Sequence, residues 1–243
     1  MNGSEILNRI RTRYLDDTLA SSDDSNALWS DEEIYDAIDE AHKAFAIDTR
    51  LLRDSRTASV TQLTVTEDDE WADLSDKVIE IKKASLNSSG AHLSIIDYQR
   101  LDNGYLNIDD YFNFTSTANW ENDEGTPQAI IINLQHNAVR VYPIPSSDDQ
   151  INLTVIRLPL TQVNEANKLE DLEFSDLWKN AITYGSLREL YMKQDSDETE
   201  GVDNRRVRDF DALYQREVVQ AVRQRERSQK STQTSTIRYG GIS

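Results

Sequence analysis

The sequence predicts an α+β fold. Two N-terminal and two C-terminal helices form a four-helix bundle, an antiparallel β module is inserted between the pairs, and a disordered C-terminal arm follows. Three observations carry this expectation. Apolar residues recur at helical spacing toward both ends, they alternate with period two in the middle, and they thin out after Ser228. The expected divisions are residues 1–56 (N-terminal helical pair), 57–160 (inserted β module), 161–227 (C-terminal helical pair completing the bundle) and 228–243 (extended arm).

The first helix is marked by Ile6, Leu7, Ile10, Tyr14 and Leu15, and the Asp- and Ser-rich stretch from Asp16 to Ala27 reads as a loop. A strong helix start follows. Ser30 is the N-cap, Glu33 stands three positions later, and Trp29 and Ile34 flank them as a hydrophobic staple. Ile34, Ala37, Ile38, Ala41 and Phe45 then make one apolar stripe, with Glu32, Asp36, Asp39, Glu40 and Lys43 on the polar side.

From about Ala58 the period becomes two. Leu63 and Val65 alternate with threonines, and Val78, Ile79 and Ile81 precede Leu93, Ile95 and Ile96. Ile130, Ile132 and Leu134 run into Val139 and Val141 across Gln135-His136-Asn137-Ala138, the clearest hairpin of the chain. Ile151, Leu153, Val155 and Leu158 add a further strand. The four prolines, Pro127, Pro143, Pro145 and Pro159, fall at strand ends, where a missing amide donor does least harm. Helices return with Leu177, Ala181, Tyr184, Leu187 and Tyr191, and the last one carries Val207, Phe210, Leu213, Tyr214, Val218, Ala221 and Val222. The polar tail has no apolar period and is expected to be disordered by itself. Neither helical pair alone buries its stripe, hence the expectation of one shared bundle.

The chain has 44 acidic and 26 basic residues and a formal net charge of -18. Such a surface repels nucleic acid on average. The charge is unevenly spread: residues 205–243 hold nine basic and four acidic residues, so an acidic body carries a basic C-terminal segment. That asymmetry favours partners over substrates.

Chemistry is hard to place. With no cysteine, disulfide, zinc–thiolate and cysteine-nucleophile readings are excluded. His42, His92 and His136 are far apart and are read as solvated, so no metal site and no cofactor are expected. The loop from Asp195 fails the calcium-loop register, because its sixth position is Glu200 and its twelfth is Arg206. The run Glu67-Asp68-Asp69-Glu70 is read as solvated charge. No nucleophile elbow, phosphate loop or dinucleotide fingerprint appears, so no catalytic residue is assigned and the chain is not expected to be an enzyme. The N-terminus lacks the apolar core of a secretory signal, and no run is long enough to span a membrane, so a soluble protein made in the cytoplasm is expected. Trp71, Trp120, Trp178, Tyr98, Tyr105, Tyr111 and Phe112 are read mainly as packing residues, with some available as contact anchors.

Several short motifs follow one another in order. Trp29-Ser30-Asp31-Glu32-Glu33-Ile34 opens a helix, and Trp71, Leu74 and Asp76 enter the β region. Gly125 and Pro127 precede a hairpin that ends in Pro143-Ile144-Pro145, a strand closes at Pro159, and a helix contains Tyr184-Gly185-Ser186-Leu187. A last helix leads into an Arg-rich, Ser/Thr-rich tail. In this order the chain resembles the head-to-tail adaptor (connector) proteins of tailed bacteriophages, especially those of short-tailed phages. Residues 84–119 match no part of that pattern.

The resemblance implies a structural virion protein located at the neck, between capsid portal and tail. It implies a homo-oligomeric ring, usually of twelve copies, that joins the portal to tail or nozzle protein and extends the DNA channel. DNA would pass through an acidic lumen without specific binding. The C-terminal arm would clamp the portal through Arg223, Arg225, Arg227, Lys230, Ile237, Arg238 and Tyr239. The competing expectation is a β-rich receptor- or carbohydrate-binding virion module, resting on the inserted strands and their aromatics. A carboxylate-based cell-wall hydrolase is a third.

Overall fold

A computed structural model describes residues 1–15, 28–99, 122–197 and 205–233. The chain divides into two compact units. One joins Met1–Leu52 to Leu158–Ser243, and the other is Arg53–Arg157.

In the first unit, α1 (Gly3–Ile10) is capped by Asn2, whose side chain accepts from the Glu5 amide, and continues as a π-helical turn, Arg11–Leu15. α2 (Asp31–Thr49) starts in a reciprocal box: the Glu33 amide donates to Ser30 Oγ at 3.2 Å, and the Ser30 amide donates to Glu33 Oε2 at 2.9 Å. These bonds satisfy backbone donors that a helix start otherwise leaves open. Trp29 and Ile34, on either side of the box, are both buried in the same core. A 3₁₀ turn, Asp176–Trp178, leads into α4 (Lys179–Asp197), and α5 (Arg205–Gln233) is the longest helix. A short α3 (Ala58–Thr61) belongs to the second unit.

α4 packs against both α2 and α5. Gly185 permits the first contact, because a Cβ there would stand 2.9 Å from Ala41 Cβ. Ile34, Ile38, Ala41 and Phe45 of α2 meet Ala181, Ile182 and Leu187 of α4 and Tyr214 and Ala221 of α5. At about 25 cal/mol per Å², burial of such side chains dominates the stability of this unit.

The second unit is an eight-stranded sheet with the order β1-β10-β4-β5-β7-β8-β3, and β2 also pairs with β10. The strands are β1 (Arg53–Asp54), β2 (Gln62–Val65), β3 (Trp71–Asp73), β4 (Val78–Leu86), β5 (His92–Asp97), β7 (Ala129–Gln135), β8 (Ala138–Tyr142) and β10 (Asp149–Arg157). β6 (Glu124–Gly125) and β9 (Ile144–Pro145) form a separate parallel pair. Ile130 lies in the main sheet core with Val139, Val141 and Val155, whereas Ile131 is buried in a second cluster with Ile96 and Tyr142. With both faces of β7 covered, its run Ala-Ile-Ile-Ile does not alternate.

The chain therefore does not form the four-helix bundle with an antiparallel insert that the sequence predicts. α1 has only eight residues, about 12 Å at 1.5 Å per residue, and Val163 and Phe174 of the connector help bury the core instead of a fourth long helix. The sheet is mixed and forms a large part of the structure: β5 and β7 pair in parallel, Ser94 opposite Ala129 through Asp97 opposite Ile132. The long segment between them, residues 98–128, gives the chain the length a parallel return needs.

Three smaller expectations are corrected too. The last helix continues to Gln233, so residues 228–233, expected at the start of the arm, are helical. Its Arg, Gln, Glu and Ser residues contain no Gly or Pro, and straight-chain side chains lose little freedom in a helix. His42 and Asp39, read as polar-side residues, are buried at 1% and 3% exposure. The connector covers that side of α2, and the Val163 amide donates to Asp39 Oδ1 at 2.8 Å.

Candidate functional site

The first unit offers two exposed helix faces of opposite charge. On α2 a narrow strip reaches solvent, made of Glu32, Asp36, Glu40, half-buried Lys43 and Ile47, and Asp48 is exposed beside it. The positions of the strip recur every three, four or seven residues, so they share one helix side. Lys43 is bound to Asp39 and Glu40. Glu32 and Asp36 have no cationic partner among the described residues.

On α5 the exposed face of the C-terminal half carries Arg216, Val219, Gln220, Arg223 and Arg227. Gln220, Arg223, Gln224 and Arg227 line an open groove of about 370 Å³ whose other wall is Leu177 and Trp178, with Glu217 at its side. Leu177 is 59% exposed. Arg223 and Arg227 have no carboxylate partner among the described residues.

Of the residues expected to form a portal-binding arm, four lie in the described part of the last helix. Arg223, Arg225 and Arg227 stand on the folded length of α5, and Lys230 lies in the same helix near its end. Arg225 turns inward: its Nη1 donates to the Thr49 carbonyl at 2.7 Å, satisfying an acceptor at the end of α2. Ile237, Arg238 and Tyr239 lie outside the described residues, as do Trp120, Tyr105, Tyr111 and Phe112. Ser30 and Glu33 stand together at the opposite end of α2, where Lys193 Nζ meets Glu33 Oε1 at 2.6 Å. The Lys193 and Ser30 hydrogen bonds hold the Glu33 carboxyl below its ordinary range.

Sequence reasoning missed the burial of Arg11 and of His42, as it did that of Asp39. Arg11 is 2% exposed and donates from Nε to Asp31 Oδ1 at 2.9 Å and from Nη2 to the Trp29 carbonyl at 3.2 Å. It stands four residues after the apolar Leu7, a spacing that places it on the buried side. His42 meets Phe174 edge-on at 5.2 Å, and neither ring nitrogen has a hydrogen-bond partner among the described residues. Desolvation lowers its pKa to about 4 despite the nearby charges of Glu173 and Asp39. Its neighbourhood includes a cavity of roughly 10 Å³ lined by Val163, Glu170, Asp171 and Glu173. Among the described residues no group of three or more His, Asp or Glu side chains is placed to hold a metal ion. None of their helices is long and apolar enough to cross a membrane.

The first unit thus presents exposed helix faces of opposite charge, and the second is a separate mixed sheet. The chain belongs to the SU10 adaptor protein family, whose match runs over residues 1–238, and is a structural head-to-tail adaptor of a bacteriophage. No curated protein matches the chain.

Proposed function

We propose that the chain assembles into a ring of twelve copies at the neck of the virion, joins the portal to tail or nozzle protein, and lines a channel through which DNA passes without specific binding. The observation that carries this reading is the family match over nearly the whole chain. The net charge of -18 supports the channel role, since an acidic wall repels phosphate and lets the duplex slide.

Portal attachment is assigned to the end of the chain: Lys230 at the close of α5, with Ile237, Arg238 and Tyr239 beyond it. Arg225 is committed to Thr49 within the fold, and Arg223 and Arg227 stand at the base of the arm. A short apolar and basic segment of this kind gains its ordering energy from a partner groove or sheet edge.

The test is co-assembly with purified portal. The full chain should form a stable complex visible by negative-stain microscopy. Deleting residues 234–243 should leave the melting temperature unchanged and sharply weaken the complex. Portal binding that survives the deletion would move the attachment surface to the folded body. Glycan binding by the isolated chain, with or without the tail, would favour a receptor-binding module instead.

A further inference from the structure

The acidic and basic faces of the first unit belong to different helices, and α4 packs against both of those helices. Each face sets like charges one helical turn apart: Glu32, Asp36 and Glu40 on α2, Arg223 and Arg227 on α5. Such spacing destabilises an isolated helix. The free chain gains nothing from it, because Glu32, Asp36, Arg223 and Arg227 find no opposite charge among the described residues. The two rows are also similar in length. Glu32 to Glu40 covers about 12 Å and Arg216 to Arg227 about 16 Å at 1.5 Å per residue. Each face carries one exposed aliphatic side chain, Ile47 at 51% and Val219 at 45% exposure.

We propose that the acidic face of α2 in one copy packs against the basic C-terminal half of α5 in the next copy, so that Glu32 and Asp36 neutralise Arg216, Arg223 and Arg227 across the contact. Two different patches on one chain make a head-to-tail interface, which closes into a ring when the rotation between copies allows it. The contact rests on the ring reading above and names its lateral surface. It leaves Lys230 and the residues beyond Gln233 available to the portal. Complementary charge fixes register and rejects a reversed neighbour, since acidic against acidic is penalised.

The test is a charge exchange read by native mass spectrometry and sedimentation on the full chain. One variant carries Glu32→Lys, Asp36→Lys and Glu40→Lys. The other carries Arg216→Glu, Arg223→Glu and Arg227→Glu. Each variant alone places like charges across every contact, and its association should weaken at least about a hundredfold. An equimolar mixture restores opposite charge at every contact, so rings should return with the two variants alternating, which an even copy number such as twelve accommodates. Recovery by mixing also shows that both variants are folded. Rings from either variant alone, or a mixture that stays monomeric while the wild type assembles, would overturn the contact and leave the ring reading standing. A wild type that never associates would remove the ring reading and this contact together.

Discussion

The imidazole of His42 should make the helical unit acid-sensitive in a defined window. The ring is 1% exposed, packs on Phe174, and has no hydrogen-bond partner for either nitrogen among the described residues. Burial lowers its pKa from 6.5 to about 4, although Glu173 and Asp39 face it and pull the other way. The folded state therefore prefers the neutral ring, whereas the unfolded chain takes up a proton below pH ~6.5. Stability from this group is complete above that pH and is lost as pH falls toward 4. The size of the loss is about 3 kcal/mol, at about 1.4 kcal/mol per pH unit. His42→Leu keeps the volume nearly constant and removes the titration. Urea unfolding at pH 7, 6, 5 and 4.5, followed by the fluorescence of Trp29 and Trp178 in the helical core, should show the wild type falling relative to the variant. At pH 7 the variant should match or exceed the wild type, since it buries no unsatisfied nitrogen. Parallel pH profiles for the two proteins would refute the reasoning and mean that the ring is solvated or paired in solution.

Other expectations follow from the packing. Gly185→Val should disturb the α2–α4 contact by about 2 kcal/mol or more, read by thermal unfolding, because even a Cβ meets Ala41 Cβ at 2.9 Å. Ser30→Ala should cost about 1 kcal/mol and Ser30→Asp little, since the lost bond is the cap to the Glu33 amide. Ile38→Ala, which empties a fully buried site, should cost about 2–5 kcal/mol in denaturant melts. Asp54→Ala should destabilise the β unit by about 3–5 kcal/mol, because it breaks a buried ion pair with Arg157 Nε at 2.7 Å and removes the acceptor of the Arg56 and Thr57 amides. Burial opposes the charge of Asp54, but bonds from Arg56, Thr57 and Arg157 outweigh it and hold its carboxyl far below the usual range. This contribution is present above pH ~3.8 and is lost as the pH falls through the folded value.

Local signals in the sequence were reliable where one face met one core. The Ser30–Glu33 box and the stripe from Ile34 to Phe45 are written in spacing alone, and so is the hairpin around Asn137. What the spacing could not express was long-range cover. Whether Asp39 and His42 face water depends on a connector more than a hundred residues away. The parallel pairing of Ser94–Asp97 with Ala129–Ile132 leaves no mark in either strand, since both read as apolar runs. The helix after Val222 was hidden for a different reason. It has no apolar side chain from Arg223 to Gln233, so periodicity vanishes, and propensity and the hold of Arg225 on Thr49 favour the helix instead. The charge asymmetry was visible from composition, but its division into two helix faces needed the packing of α4.

The stem of the β unit has a consequence for how the protein is made. β1 and β10 pair antiparallel, Arg53 opposite Ile156 and Asp54 opposite Val155, so the chain enters and leaves this unit side by side. The unit is continuous in sequence, whereas the helical unit is split around it. On the ribosome, α1 and α2 emerge first, yet α4 and α5, which cover their apolar stripes, come only after the whole of residues 53–157. At roughly 5–20 residues per second, those stripes stay uncovered for on the order of ten seconds. The sheet can fold during that wait, and once Arg157 closes on Asp54, residues 52 and 158 are held a strand's spacing apart. The second half of the helical unit is then delivered next to the first, and the loop-closure cost of joining them has already been met inside the β unit.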